Sequence, residues 1–155
     1  MRPIPPEALA PLTAVYKRGR FREVVNIQLT SGGEHVCVVK IFYGRPPHYS
    51  PWAEVFNIAQ WFIDSPLEEW LYCLLWRYMD PSDVLYVEYV DDFATYTALR
   101  RGVAPRDTRL GKKLTKCGFD VVKDWYFPEG GLEGGMKLQA VKRGVCQAST
   151  PSAEF

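Results

Sequence analysis

Histidine is scarce in this chain, with only His35 and His48 among 155 residues. Its four cysteines, Cys37, Cys73, Cys117 and Cys146, form no CxxC pair. A zinc site wants ligands paired at short spacing, so no metal is expected. The cysteines are also too sparse for a small disulfide-stapled scaffold. Long apolar runs are missing: nothing approaches the roughly 20 residues that span a bilayer, so no membrane association is expected. The opening MRPIPPEALAPL is broken by proline and lacks the apolar stretch of a signal peptide. These absences lead to the expectation of a soluble protein in a reducing, cytoplasmic setting. An excess of one charge sign is lacking too. Formal net charge is +1, which gives no reason to expect general nucleic-acid binding. The basic residues Arg100, Arg101, Arg106, Arg109, Lys112, Lys113 and Lys116 read as a solvated helix face. His48 reads as a solvated loop residue.

What the chain does have is 47% hydrophobic and 14% aromatic residues, enough for one core in one domain. Residues 1–22 read as a proline-broken N-terminal arm, with a helical turn near Leu12 to Lys17. Residues 23–143 read as the folded domain and 144–155 as a flexible tail. Glu23 to Thr30, the turn Ser31-Gly32-Gly33 and Glu34 to Tyr43 predict a hairpin of β-branched strands. Trp52 to Phe62 fits either a helix or a buried strand, with the strand preferred. Pro66 to Met79 predicts a helix. Ser65 and Glu68 have the spacing of a capping box, Pro66 suits the first helical position, and Leu67, Trp70, Leu71, Leu74, Leu75 and Tyr78 share one face. Tyr72 and Trp76 point away from that face. With Trp52 they suggest an aromatic contact patch for a homodimer.

Val84 to Val90 alternates as a strand, with Glu88, Asp91 and Asp92 on it or at its exit. Asp92 predicts a cap for a helix from Phe93 to Arg101, and Asp107 or Thr108 for the next one. Phe119 to Phe127 and Met136 to Lys142 predict a closing pair of strands around PEGGLEGG. The expected fold class is therefore α/β in the α+β sense, a single mixed and mostly antiparallel sheet flanked by helices.

The order β-β, then β or α, then α-β-α-β-β resembles the GCN5-related N-acetyltransferase fold. TRLGKKLTKCGF followed by DVVKDWYF resembles that family's late helix and next strand, and SPLEEWLYCLLWRYM its pyrophosphate-binding helix. The resemblance implies acetyl-CoA held around Ser65, Leu67, Glu68, Thr108 and Arg109, and an amine as acyl acceptor. The departures are specific. Asp64, Glu68 and Glu69 bring negative charge where the family binds an anion, and Pro66 removes an amide. Leu114 stands where the family often has a tyrosine acid. MDPSDVLYVEYVDD with LTKCGFDVVKDWYF resembles the back half of class I S-adenosylmethionine methyltransferases, although no GxGxG motif occurs before Phe62. YVEYVDD, TRLG, GF and KDWYFPEGG together resemble a small family of archaeal thermophile proteins of unknown function.

Candidate chemistry centres on carboxylates. Burial would raise the pKa of Glu88 and suit it to act as a base on an amine; otherwise it is an edge-strand residue or half of a salt bridge. As a pair Asp91 and Asp92 could bind an amine or a metal, and in the methyltransferase reading a ribose, whereas Asp92 as an ordinary helix cap is favoured. Trp125, Tyr126, Glu129, Glu133 and Lys137 surround the glycine-rich bend. The two aromatic rings suit a planar or cationic group, with Lys137 neutralising one glutamate. Arg109 reads as an anion ligand or as a partner of Asp107. All of these hinge on one expectation: that the exit of the YVEYVDD strand and the glycine-rich bend lie side by side.

Overall fold

Strand alternation in this chain places small and branched apolar residues on one face of a sheet and polar or aromatic ones on the other. The computed structural model describes residues 1–45, 49–126 and 135–147. It contains β1 (Thr13–Arg18), β2 (Val24–Ser31), β3 (Glu34–Phe42), β4 (Trp52–Phe56), α1 (Pro66–Tyr78), β5 (Val84–Glu88), α2 (Phe93–Arg100), α3 (Arg109–Lys116), β6 (Phe119–Tyr126) and β7 (Met136–Lys142). The seven strands form one mixed sheet in the order β1-β2-β3-β4-β5-β7-β6. Among the described residues only β4 and β5 run parallel, in register from Trp52 opposite Val84 to Val55 opposite Val87. The fold is a single α+β domain, as expected.

One sheet face is the floor of the core. Ile27, Val39, Val55, Leu85, Leu138 and Val121 lie on it, and Leu71, Leu75, Leu110 and Leu114 of α1 and α3 join the same buried cluster. Fully burying one such side chain stabilises by about 1.5–3 kcal/mol. The central helix occurs where periodicity predicts it, and its first-turn proline sits where no amide partner is needed. Glycine matters at two places, within α3 and just past its end. Gly118 has φ of +94°, and a Cβ there would strike the Trp76 indole. At Gly111 a Cβ would collide with the backbone of Pro105 and Arg106, so only glycine lets α3 press this closely.

The N-terminal region corrects the arm reading. Pro6–Leu9 is a 3-10 turn, and Ile4, Leu9 and Leu12 are buried in the core. Thr13–Arg18 is an edge strand paired with β2, not a helical turn. The Arg2 amide donates to the Tyr78 carbonyl at 2.7 Å, tying the segment to the end of α1. The prolines break helices here but leave the buried leucines free to dock. The Trp52 to Phe62 ambiguity resolves into strand β4 followed by a 3-10 turn at Gln60–Phe62. Tyr72 is wholly buried, with its ring edge-on to Phe62. Trp76 donates its indole N–H to the Gly118 carbonyl at 3.1 Å, and Lys142 lies over its ring. Tyr72 therefore has no part in an exposed aromatic patch, while Trp52 and Trp76 are half-buried. No helix among the described residues is long and apolar enough to cross a membrane.

A docked N-terminus has a measurable consequence. Leu9→Ala should lower unfolding free energy by about 2–5 kcal/mol in a urea titration, the cost of a core cavity. An arm free in solvent would leave the midpoint unchanged.

Candidate functional site

The parallel pair stops early, and the consequences converge on Glu88. Pairing between β4 and β5 ends at Val55 and Val87, while Phe56 continues against Val38 and Glu88 against Lys137. The next residue of the chain, Asn57, turns away with φ of +51°. Such a φ is costly for a residue with a Cβ and needs support. Glu88 supplies part of it: its Oε1 accepts the Asn57 amide at 3.1 Å. A carboxylate thus stands where the next strand-to-strand contact would have been.

Burial pushes the Glu88 carboxyl above the ordinary glutamate value of 4.5. The Asn57 amide and Lys137 pull it down, and Glu54 and Asp91 push it further up. Burial wins, which favours the protonated form. Strand alternation puts Glu54, Tyr86, Glu88, Lys137, Gln139 and Trp125 on the sheet face opposite the core. Lys137 pairs with the buried carboxylate of Glu54, one strand beyond its register partner Glu88. That glutamate was not anticipated, although its position between Ala53 and Val55 in an alternating strand marks it as facing the other way. The Phe42, Trp52 and Tyr86 rings form a ladder along this face, with centroids 5.8 and 6.1 Å apart. Trp125 donates to Gln139 at 2.6 Å.

The aromatic pair near the bend already has cations. Arg100 lies 3.6 Å from the Tyr126 ring centroid, and Lys123 lies 4.1 Å from that of Trp125. Arg100 also donates to Asp124 at 3.1 Å and to the Tyr89 hydroxyl at 3.2 Å, while Tyr89 donates to Asp124 at 2.5 Å. This network rivets the exit of β5 to β6. The Tyr89 amide donates to the Met136 carbonyl at 2.9 Å. The carboxylate strand and the root of the bend are therefore neighbours. Glu129 and Glu133 lie outside the described residues, as does His48.

A second cluster gathers the starts of all three helices. Arg109 donates to Glu68 at 2.7 and 2.8 Å, to Asp92 at 2.7 and 3.0 Å, and to Asp64 at 3.0 Å. Glu68 and Asp92 are 1% and 3% exposed. Burial alone would lower the Arg109 pKa, yet the hydrogen bonds it donates to Glu68 and Asp92 hold it above the usual arginine value. Tyr72 adds a hydrogen bond to Glu68 at 3.4 Å.

Several expected roles change here. Ser65 does not cap α1: its hydroxyl donates to the Phe62 carbonyl at 2.7 Å. Glu68 accepts instead from the Asp64 amide at 3.2 Å, and Asp64 has φ of +64°. Asp92 is the cap of α2, accepting from the Thr95 amide at 3.2 Å. Thr108, not Asp107, caps α3 by accepting from the Gly111 amide at 3.0 Å. Leu67 is buried and Asp91 is exposed. The expected partner of Arg109, Asp107, is replaced by three carboxylates from elsewhere in the chain. Among the described residues no group of three or more His, Cys, Asp or Glu is placed to hold a metal ion.

Two consequences are measurable. Arg109→Met strands two buried carboxylates and should cost about 3–5 kcal/mol in denaturant unfolding. Arg45→Met, which breaks an exposed pair with Glu23, should leave the midpoint in place. A small effect at Arg109 would demote its cluster to surface ion pairs. Glu88 gives a pH signature. Its folded pKa is raised, so the folded state binds the extra proton and wild-type stability falls as pH rises from 4.5 through the folded value. Glu88→Gln should remove that fall, so the variant gains on wild type with rising pH. Parallel stability–pH curves would contradict the assignment.

Comparison with known proteins fits this geometry into a family. A crystal structure of a protein of unknown function, AQ1966 from Aquifex aeolicus VF5, superposes with a TM-score of 0.76 at 38% identity. The match covers 84% of this chain and 70% of that one. A search of curated proteins finds no match. The family model described as "Protein of unknown function (DUF1122)" matches residues 9–153, nearly the whole chain, and the protein belongs to that family.

Proposed function

We propose that this protein is an acyl-CoA-dependent N-acyltransferase acting on an amine, built on an acetyltransferase-like sheet. The supporting observation is the notch between β4 and β5: one parallel pair in an otherwise antiparallel sheet, which stops pairing after Val55 and Val87. The acetyltransferases that the order of elements resembles splay a strand to admit acetyl-CoA. Strand margins that have parted offer backbone groups to an amide-bearing arm, in the manner of an added strand. Glu88 stands at the root of the notch with a carboxyl pushed toward the range of a useful base. In the reaction Glu88 takes a proton from the acceptor ammonium. The free amine then attacks the thioester carbonyl, a C–N bond forms, the C–S bond breaks, and the departing thiolate is protonated. Glu54, Trp125 and Lys137 share the sheet face of Glu88 and border the acceptor side, where the Glu54 and Glu88 carboxylates favour a cationic amine.

The nucleotide end of the donor is held differently from the resembling family. The Asp64 amide is spent on Glu68, and three carboxylates engage Arg109. Pyrophosphate has no receptive helix start there, so recognition rests on the acyl-pantetheine arm. The S-adenosylmethionine reading is weaker, because Asp92 is committed to Thr95 and Arg109. An aromatic homodimer patch loses its support with Tyr72 buried.

Thermal unfolding with acetyl-CoA, acetyl-pantetheine and S-adenosylmethionine separates these readings. Both acyl donors should raise Tm, and a primary amine should then release free thiol. Glu88→Gln should keep the Tm shift and slow turnover about 10²–10⁴-fold. No shift with either acyl donor, or a shift with S-adenosylmethionine alone, contradicts the proposal.

A further inference from the structure

Three of the four cysteines meet in space, although no two lie close in sequence. Cys73 is in the middle of α1, Cys117 at the end of α3, and Cys146 just past β7. The Cys73 Sγ lies 3.0 Å from that of Cys117 and 3.3 Å from that of Cys146. All are thiols, and Cys73 is shared by both contacts. Reacting atoms held about 3–3.5 Å apart are already at attack distance. The elements that bring them together are independently fixed. The Arg143 amide donates to the Gly118 carbonyl at 3.0 Å and the Gln147 amide to the Lys116 carbonyl at 2.9 Å, which hold the segment carrying Cys146 against the end of α3. Cys73 and Cys117 are buried, whereas Cys146 is partly exposed. Access is therefore graded from the surface inward.

We propose that Cys146, Cys73 and Cys117 form a thiol–disulfide exchange site that takes a low-molecular-weight disulfide. Cys146, the accessible thiol, attacks one sulfur of the small disulfide. A Cys146–S–S–R bond forms, the original S–S bond breaks, and one small thiol leaves with the Cys146 proton. Cys73 then attacks the Cys146 sulfur, and the second small thiol leaves with the Cys73 proton. The protein loses two electrons and the small disulfide gains them. Cys117 stands within reach to exchange onto Cys73, which moves the bond to Cys73–Cys117 and returns the Cys146 thiol with no net change in electrons. The hydrogen bond to Cys117, with burial, holds the Cys73 thiol well above its ordinary range, so Cys73 acts second. The closed bond joins α1 to the C-terminal segment, or to α3, across sequence separations of 73 and 44 residues. Cys37 is an internal control: it is fully buried away from the trio, and burial alone pushes its thiol up.

The test is to incubate the native protein with oxidised glutathione and then quench with acid. Wild type should lose two thiols, carry no lasting glutathione, and give a disulfide-linked peptide pair that contains Cys73 with Cys146 or Cys117. Cys73→Ser should trap glutathione on Cys146. Cys146→Ser, at a partly exposed position that tolerates serine, should slow thiol loss at least about tenfold. The proposal is overturned if all thiols survive in the folded protein. A disulfide involving Cys37, or glutathione lodged on wild-type Cys146 while Cys73 and Cys117 remain thiols, overturns it equally.

Discussion

The guanidinium of Arg109 is the constraint on which the rest of the arrangement depends. It reaches from the first turn of α3 to Glu68 of α1, to Asp92 at the cap of α2 and to Asp64 before α1. Three helix starts are therefore fixed to one planar donor. Carboxylates at helix starts are individually favourable, because they face the positive end of the helix dipole. Gathered in one place they would repel, and Arg109 makes the gathering stable. Thr95 completes the junction: its hydroxyl donates to Asp92 at 2.7 Å and accepts the Leu110 amide at 3.1 Å. A buried ion cluster of this kind fixes geometry more than it adds stability.

That geometry sets the path from β4 to α1. The chain leaves the sheet at Asn57 and enters the helix past Asp64, and both residues have positive φ. Each has its amide held by a carboxylate from another element, Glu88 for Asn57 and Glu68 for Asp64. The strained corners are thus supported at both ends of the link. With the link drawn aside, β4 and β5 part beyond Val55 and Val87, and Glu88 is left half-buried at the division. On the far side, Tyr89, Asp124 and Arg100 hold β5 to β6. The unpaired ends of β4 and β5 thus lie between the Asn57 corner and the network of Tyr89, Asp124 and Arg100.

Much of this was legible from local pattern, and the misses have physical causes. The β2–β3 hairpin, α1 and the Asp92 cap depend on neighbouring residues, so spacing alone reveals them. Asp92 was readable as a cap but not as an ion-pair partner of a residue 17 positions away. For Arg109 the sequence offers an anion or the nearby Asp107, because spacing shows only near partners, whereas burial favours the partners that fill its fork. Proline at the N-terminus hid an edge strand, since TAVYKR alternates too briefly to stand out beside PIPPEALAP. Trp125 and Tyr126 suggested a ligand cation, and Lys123 and Arg100 take that place. The cysteine trio is invisible to spacing rules because three different elements bring it together.

The central claim is that an acyl donor enters at the division of β4 and β5 and not at the start of α1. Amide chemical-shift mapping with acetyl-pantetheine tests it directly. The account predicts perturbation of Phe56, Asn57, Glu88 and Lys137, with Asp64, Leu67 and Glu68 unmoved. Shifts confined to the start of α1, with the strand division silent, would contradict it.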